Sequence, residues 1–194
     1  HIAETVRNAG LVSPAVIAVG EVVALRENLN VYEKRPLFGK RYLIPKIGES
    51  GSRLKELLGR QGAAADEVCV GTIVNTGKRF SAEELKQADW LIFTSRNGVD
   101  AFFEGLAESR LDVRCLSGCR IAAIGGRTAD ALKQYGLYAD LIPDAFHSDA
   151  LAKALKQRLS PGDRVWYLKA GNADGHLRSL LEGCCSLEEI PVYE

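Results

Sequence analysis

The sequence predicts an α/β protein, and two strand-to-helix junctions are the main grounds for that prediction. In the first junction, the apolar run 91–93 stops at a polar turn and helically spaced apolar residues follow. In the second, the run 121–124 ends at a glycine pair before another helical pattern. Strands and helices continue to alternate over residues 90–191, which is typical of a parallel sheet with helices on both faces. Five strands in this stretch fit a flavodoxin-like strand order.

The spacing of the apolar residues gives the bounds of each predicted element. Before residue 90, the predicted elements are a helix over 1–9 ended by Gly10, strands over 15–23, 41–44 and 68–74, a helix over 52–58, and a short helix from Ser81 to Ala88 with a capping-box start. After residue 89, the predicted strands are 90–94, 120–124, 139–142, 165–168 and 187–191, and the predicted helices are 98–109, 128–135, 148–159 and 174–181.

Two segments of the chain follow the same plan. Residues 39–73 and residues 162–194 each begin with glycine, a charged residue and arginine, and each continues with a strand, a polar loop, a helix closing on Leu-Leu, and a returning strand. We interpret this as an internal duplication, which predicts two similar flavodoxin-like lobes with the first one incomplete. The predicted division is 1–38 as a linker or extra segment, 39–76 as the first half of lobe 1, 77–191 as lobe 2, and 192–194 as the start of a return to lobe 1.

Composition excludes several classes of protein. The 194 residues are 46% hydrophobic and 26% charged, which suits one or two packed domains. Lys plus Arg and Asp plus Glu both number 25, so no bulk charge favours nucleic acid or an anionic membrane. The apolar run 15–19 is far shorter than the roughly 20 residues of a membrane span, and no secretory signal opens the chain. We therefore expect a cytoplasmic protein. The absence of methionine suggests a fragment.

Motifs for metals and common cofactors are missing from the sequence. The five cysteines form no C-x-x-C pair, and the three histidines have no zinc-site spacing, so we expect free thiols and no metal. The glycine-rich segment GGRTAD lacks the lysine of a P-loop, and no strand is followed by G-x-G-x-x-G. There is also no G-x-S-x-G nucleophile elbow. The residues alone predict neither a cofactor nor a strong acid, base or nucleophile cluster.

The two predicted helix starts open beside the carboxyl ends of strands, where ligands bind in open α/β sheets and where free amides attract anions. Thr94 and Ser95 are favoured helix caps, and capping alone, worth about 1 kcal/mol, is an alternative to a role in binding. Gly125 and Gly126 allow a ligand to approach the backbone closely, and Thr128 is either a cap or a ligand contact. Two turns with amides that can bind anions, both at one edge of the sheet, predict a ligand with several negative charges.

Charged and polar residues near these turns extend the predicted site. Arg96 and Arg127 occupy matching places in the two turns, where each is either a solvated charge or a paired donor to a carboxylate. Lys169 and Asn172 follow the fourth strand of the second lobe and so share the same sheet edge. The predicted substrate-binding residues are Thr94, Ser95, Arg96, Asn97, Gly125, Gly126, Thr128, Lys169 and Asn172.

Three segments of the chain together resemble uroporphyrinogen-III synthase. They are LIFTSRNGVDAFFEGL, IAAIGGRTADAL, and YLKAGNADGHLRSLLEG continued by EIPVYE, and the resemblance covers residues 39–194. A further segment, SPAVIAVGEVVALRENLNVYEKRPLFGKR, resembles the C-terminal end of a uroporphyrinogen-III methyltransferase that runs into a fused synthase. This second resemblance implies that residues 1–38 are a methyltransferase remnant. The synthase pattern implies that a return half of lobe 1 follows Glu194.

The resemblance also implies a reaction. Synthases of this family close hydroxymethylbilane into uroporphyrinogen III with inversion of ring D, in the biosynthesis of heme, siroheme and cobalamin, without cofactor or metal. The substrate carries carboxylates on each pyrrole, so the family pattern implies that Ser95, Arg96, Asn97, Thr128 and Lys169 line one wall of a cleft. A monomer is expected for the synthase alone, and a dimer is an option for a fused chain.

The family pattern assigns one further residue. A tyrosine in a Val-Tyr pair after the fifth strand is the family's candidate for assisting departure of the substrate hydroxyl, and the matching residue is Tyr193. The alternative is an ordinary half-buried strand aromatic. Two other functions remain open at this point: a non-catalytic two-lobed sensor of small molecules, and an inactive fragment of the bifunctional protein.

Overall fold

The computed structural model of the chain describes residues 1–48 and 51–194. These residues form two compact units, residues 1–72 and residues 73–194. The first unit contains a sheet of two strands, and the second contains a sheet of four.

The N-terminal segment of the first unit is helical in three short stretches. Helix α1 (Ile2–Asn8) confirms the predicted N-terminal helix. Gly10 follows it with φ of 64°, a left-handed conformation that suits glycine and ends a helix. A 3-10 helix (Glu21–Leu25) and helix α2 (Arg26–Leu29) come next.

The strand predicted over residues 15–23 is wrong. Residues 15–19 have no regular structure, and Val16 and Ile17 are 96% and 71% exposed. Apolar, β-branched residues favour a strand only where a neighbouring strand accepts the backbone hydrogen bonds. Within the described part of the chain, no strand pairs with this run.

The sheet of the first unit is one strand–helix–strand unit, as predicted. Strands β1 (Arg41–Ile47) and β2 (Ala64–Gly71) are parallel and are connected through helix α3 (Arg53–Arg60). Ser52 caps α3, since its hydroxyl accepts a hydrogen bond from the Leu54 amide at 3.0 Å. The second strand begins and ends earlier than predicted, because residues 74–76 pair with the C-terminus of the second unit.

The second unit confirms most of the predicted alternation. Its strands are β3 (Trp90–Phe93), β4 (Arg120–Ala123), β5 (Arg164–Ala170) and β6 (Ser186–Tyr193). Its α-helices are α4 (Ala82–Leu85), α5 (Arg96–Glu108), α6 (Gly126–Gln134), α7 (Ser148–Lys156) and α8 (His176–Leu181). A 3-10 helix (Val113–Leu116) precedes β4. The predicted capping box is present at the start of α4, between Ser81 and Glu84.

The order of the strands differs from the flavodoxin-like prediction. The sheet runs β4-β3-β5-β6 with parallel pairs throughout, and Leu141 forms an isolated parallel bridge to Ala122 beyond β4. Counted along this unit the order is 3-2-1-4-5, whereas a flavodoxin-like sheet has the order 2-1-3-4-5. The third strand shrinks to one bridge because the Asp140 carboxylate accepts the Ile121 amide at 2.7 Å, in place of a backbone acceptor.

The core of the second unit lies on both faces of its sheet. Successive strand residues point to opposite faces. Leu91 and Phe93 therefore join the cluster formed with α5 and α6, while Trp90 and Ile92 join the cluster with α7 and α8. All four are at most 1% exposed, and full burial of such side chains contributes roughly 1.5–3 kcal/mol each. This packing fixes the carboxyl ends of the strands, where the predicted site lies.

Candidate functional site

The strand order creates a switch point between β3 and β5. From β3 the chain moves outward to β4 and the Leu141 bridge, and it then returns to the other side of β3 as β5. Ligands of open α/β sheets bind outside the carboxyl ends of the strands at such a point. Thr94 and Ser95 follow β3 there, and Ala170 ends β5 beside them.

Ser95 both caps a helix and contacts a phenol. It is the N-cap of α5, and its Oγ accepts the Gly98 amide hydrogen at 2.9 Å. The same Oγ lies 2.8 Å from the Tyr193 Oη. Ser95 and Tyr193 are 98 positions apart in sequence, so this contact depends entirely on the strand order.

Backbone hydrogen bonds fix the end of β6 around Tyr193. β6 continues past the sheet, where Val74 and Glu194 exchange backbone hydrogen bonds of 2.9 and 2.8 Å. On the other side, the Gly171 amide donates to the Tyr193 carbonyl oxygen at 2.8 Å. The ring lies beside Gly98, where a Cβ would be 3.6 Å from Tyr193 Cε1, an ordinary van der Waals distance. The backbone that carries the phenol is therefore fixed by hydrogen bonds on both sides of the strand.

A second hydroxyl pair lies beside the first but is buried. Thr94 Oγ1 is 3.2 Å from the Tyr167 Oη, so Thr94 is not a helix cap. Tyr167 is only 5% exposed. Burial raises the pKa of Tyr167, with the Glu189 carboxylate adding to the rise and the Thr94 hydrogen bond opposing it. Sequence reasoning missed Tyr167, although its alternation with Leu168 places it on the same sheet face as Thr94.

Lys169 is part of an ion network, not a free cation. The residue is 7% exposed, and its Nζ lies 3.3 Å from Glu189 Oε1. Glu189 also accepts a hydrogen bond from Arg178 Nε at 3.0 Å. Lys169 was predicted to follow the strand, but it lies within β5, one residue before the strand ends, and its ammonium is paired within the protein.

The turn after β4 has a different construction. Gly125 is the N-cap of α6, and no side chain caps this helix. Thr128 therefore does not cap it; it occupies the third helical position and is 4% exposed. Its side chain leans toward the start of the helix, as helical side chains do. Within the described part of the chain, nothing forms a hydrogen bond with the Thr128 hydroxyl.

An aromatic ring covers one of the two glycines of this turn. A Cβ at Gly125 would lie 3.0 Å from the Phe146 ring, while a Cβ at Gly126 would meet no atom within 4 Å. Phe146 is 69% exposed. Sequence reasoning missed Phe146, because it lies on a loop with no periodic pattern. Only Gly126 presents an open backbone to solvent.

The two arginines do not occupy matching positions. Arg96 is the first residue of α5 and Arg127 the second of α6, so that prediction was off by one place. Arg96 Nε lies 3.4 Å from Asp100 Oδ2 in an exposed ion pair. Arg127 and Asn172 are exposed, and Asn97 is half-buried.

The described residues can be compared with three other kinds of site: a metal site, a cavity away from the switch point, and a membrane span. Within residues 1–48 and 51–194, no group of three or more His, Cys, Asp or Glu side chains is placed to hold a metal ion. A cavity of about 390 Å³ lies at the opposite edge of the sheet, near Arg164 and Ser186, and contains none of the predicted site residues. No helix in the described part of the chain has the length and apolar character of a membrane span.

Known proteins resemble this chain over most of its length. It is 32% identical over 186 residues to the porphyrin biosynthesis protein HemD of Ruminiclostridium josui, a match that covers 93% of this chain and 37% of that protein. It is 29% identical over 170 residues to the uroporphyrinogen-III synthase of Synechococcus elongatus, which covers 83% of this chain and 62% of that protein.

Solved structures and family patterns agree with these relatives. A mutant uroporphyrinogen III synthase from Thermus thermophilus has the same fold, with a TM-score of 0.56 at 19% identity, over 80% of this chain and 62% of that one. The chain thus spans 37% to 62% of the length of these proteins. The pattern of the family described as Uroporphyrinogen-III synthase HemD matches residues 52–194. The chain belongs to the Uroporphyrinogen-III synthase HemD family.

Proposed function

We propose that this chain carries out the uroporphyrinogen-III synthase reaction, which closes hydroxymethylbilane into uroporphyrinogen III with inversion of its last ring. Membership of the family supports the reaction class. The observation that carries the proposal is the hydroxyl pair of Ser95 and Tyr193 at the switch point of the sheet. A phenol at this place can donate its proton to a leaving hydroxyl without prior ionisation.

The proposed chemistry requires one proton donor. Tyr193 gives its phenolic proton to the hydroxyl oxygen of the substrate, the carbon–oxygen bond breaks, and water leaves with the bonding electrons. The last pyrrole attacks the resulting azafulvene cation through a spiro intermediate, and the proton that this ring finally loses restores the phenol. Positioned general acids contribute about 10²- to 10⁴-fold to a rate, and we expect the lower end because the substrate also loses hydroxide unaided.

The proposed binding of carboxylates uses the turn before α6. The amides of Gly126 and Arg127 offer hydrogen bonds to an anion, as does the Thr128 hydroxyl, which has no hydrogen-bond partner among the described residues. The open backbone at Gly126 lets a carboxylate approach, and the Arg127 guanidinium adds positive charge nearby.

In both turns the amide of the third helical residue is already bonded. In the α5 turn the Gly98 amide donates to Ser95 Oγ, and in the α6 turn the Thr128 amide donates to the Gly125 carbonyl oxygen at 3.1 Å. The α5 turn is less suited to binding carboxylates because its Ser95 hydroxyl is engaged with Tyr193.

Some of the remaining predicted binding residues are accessible to solvent, and others are paired within the protein. Asn97, Arg96 and Asn172 reach solvent at the same edge and stay proposed substrate contacts. We propose indirect roles for Thr94 and Lys169, since Thr94 is paired with Tyr167 and the Lys169 ammonium with Glu189. These two residues would stabilise the positions of the strand ends that form the site.

Analysis of the product isomers tests the proposed function. Hydroxymethylbilane closes spontaneously to the type I isomer, so the full-length protein should convert it largely to type III. A non-catalytic sensor or an inactive fragment would leave only the type I product. Heat-denatured protein at the same concentration is the control.

We also propose a separate origin for residues 1–38, as the end of a methyltransferase. The resemblance of residues 13–41 to the end of such an enzyme supports it. If the segment belongs to another enzyme, deleting residues 1–38 should leave the rate of type III formation unchanged. A large loss of rate would assign the segment to the synthase.

A further inference from the structure

We infer that Ser95 is a positioning residue for Tyr193. The Ser95 hydroxyl donates a hydrogen bond to the phenol oxygen, so that the phenolic proton points toward the substrate. The inference rests on the proposed function. It assigns Ser95 a role different from the substrate contact expected from the sequence, and it follows from the two hydrogen bonds that meet at the Ser95 Oγ.

The valence of the two hydroxyl groups limits how they can be arranged. The Ser95 Oγ accepts the Gly98 amide hydrogen at 2.9 Å, so one of its lone pairs is occupied. The Ser95 O–H hydrogen remains free to rotate, and the Tyr193 oxygen lies 2.8 Å away. When Ser95 donates to that oxygen, the phenolic hydrogen must point elsewhere. This is the arrangement that a proton donor to substrate needs.

The helix cap fixes the geometry of this donation. Ser95 is held at the N-cap of α5 by the same bond to Gly98, so its side chain has little freedom to turn away from Tyr193. A hydrogen bond donated to the phenol oxygen also stabilises the negative charge that develops there as the proton leaves. Ser95 therefore orients the phenol and stabilises the charge that develops on its oxygen.

The neighbouring pair of Thr94 and Tyr167 has the same chemistry without the same access. Its oxygens are 3.2 Å apart, but Tyr167 is 5% exposed whereas Tyr193 is half-buried. We therefore expect the less accessible phenol of Tyr167 to contribute less to the reaction than that of Tyr193. This pair gives a matched control for the loss of a Thr or Ser partner of tyrosine.

A double-mutant cycle in the full-length protein tests the inference. The variants are Ser95→Gly, Tyr193→Phe and the two combined, with glycine chosen because it retains most of the capping free energy of serine. We expect Ser95→Gly to lower kcat by roughly threefold to tenfold, the size of one hydrogen bond, with KM unchanged. In combination with Tyr193→Phe it should lower kcat by less than about twofold more. Ser95→Thr keeps the hydroxyl and should restore most of the rate.

Each outcome separates the inference from the proposed function. A rise in KM with unchanged kcat for Ser95→Gly would make Ser95 a substrate contact and overturn the inference. Additive effects of Ser95→Gly and Tyr193→Phe would also overturn it, because the two groups would then act independently. Absence of type III product from the unmodified protein would instead refute the proposed function. Thr94→Val should lower kcat less than Ser95→Gly, and an equal or larger loss would count against the assignment.

Discussion

The two turns after β3 and β4 follow one sequence plan but differ in what they present. The α5 turn is capped by Ser95, whose hydroxyl binds both a backbone amide and the Tyr193 phenol. The α6 turn begins at Gly125, and within residues 1–48 and 51–194 it has neither a side-chain cap nor a hydrogen-bond partner for the Thr128 hydroxyl. The turns are adjacent, because the Ile124 amide donates to the Phe93 carbonyl oxygen at 3.0 Å.

This difference suggests that the two turns have different roles in the proposed reaction. The amide of the third helical residue is bonded at both starts, so the turns do not differ in that donor. They differ because the Ser95 hydroxyl is engaged with Tyr193, whereas the α6 start adds the Thr128 hydroxyl and the open backbone at Gly126 as places for an anion. We therefore expect the α5 turn to serve proton donation and the α6 turn to serve carboxylate binding. Substitutions that affect kcat at one turn and KM at the other would support this division.

The largest effect is expected at Gly98 in the α5 turn. A Cβ there would lie 3.3 Å from both the Leu168 carbonyl oxygen and the Ser95 Oγ, so the branched side chain of Gly98→Val must displace Ser95 or Tyr193. We expect a loss of about 1–3 kcal/mol in the free energy of unfolding. The rate of type III formation should fall as well. Urea denaturation and initial rates measure the two effects.

Gly126 in the α6 turn is the matched control for this substitution. A Cβ at Gly126 would meet no atom within 4 Å, and Gly126→Ala should stabilise the protein by about 0.4–1 kcal/mol. Equal destabilisation by Gly98→Val and Gly126→Ala would remove the steric distinction between the two turns.

A smaller effect is expected at Thr128. Thr128→Val keeps the shape of a side chain that is 4% exposed but removes its hydroxyl. If this hydroxyl binds a substrate carboxylate, KM should rise about tenfold with kcat unchanged, as expected for one hydrogen bond to a charged group. Thr128→Ser should retain a KM close to that of the unmodified protein. A fall in kcat alone would place Thr128 with the chemistry instead of with binding.

The smallest effect is expected from the buried Tyr167, at alkaline pH. Burial raises its pKa in the folded protein, so above a pH of about 10 the unfolded chain loses this proton first. The contribution of Tyr167 to stability is therefore complete below that pH and is lost as the pH rises further. Tyr167→Phe should make the free energy of unfolding fall less steeply between roughly pH 9.5 and 11. Parallel curves for the two proteins would contradict the shift.

Local patterns in the sequence predicted most elements of the second unit and the first turn of its site. The runs around Phe93 and Val165 and the cap at Ser95 follow from periodicity and capping chemistry, which act over a few residues. The strand over 15–23 was wrong because strands depend on partners that are distant in sequence. The strand over 139–142 was too long because the Asp140 carboxylate replaces a ladder acceptor. The strand order was wrong because apolar spacing does not reveal which strands pair.

Long-range contacts explain what the sequence missed in the site. The partners Ser95 and Tyr193 are 98 residues apart, and Thr94 and Tyr167 are 73 apart, so no local pattern joins them. Lys169 was predicted to follow the strand but lies within β5, and its pairing with Glu189 depends on the register of β5 and β6. Residue types indicated the edge of the sheet, and only the topology indicated which side chains meet there.

The central claim is that the Tyr193 phenol acts as the proton donor, and Tyr193→Phe in the full-length protein tests it most directly. Phenylalanine keeps the ring and its packing against Gly98 while removing only the hydroxyl. We expect the initial rate of type III formation at saturating hydroxymethylbilane to fall about tenfold or more, with an unchanged Tm. An initial rate equal to that of the unmodified protein would contradict the claim and leave binding geometry as the whole mechanism.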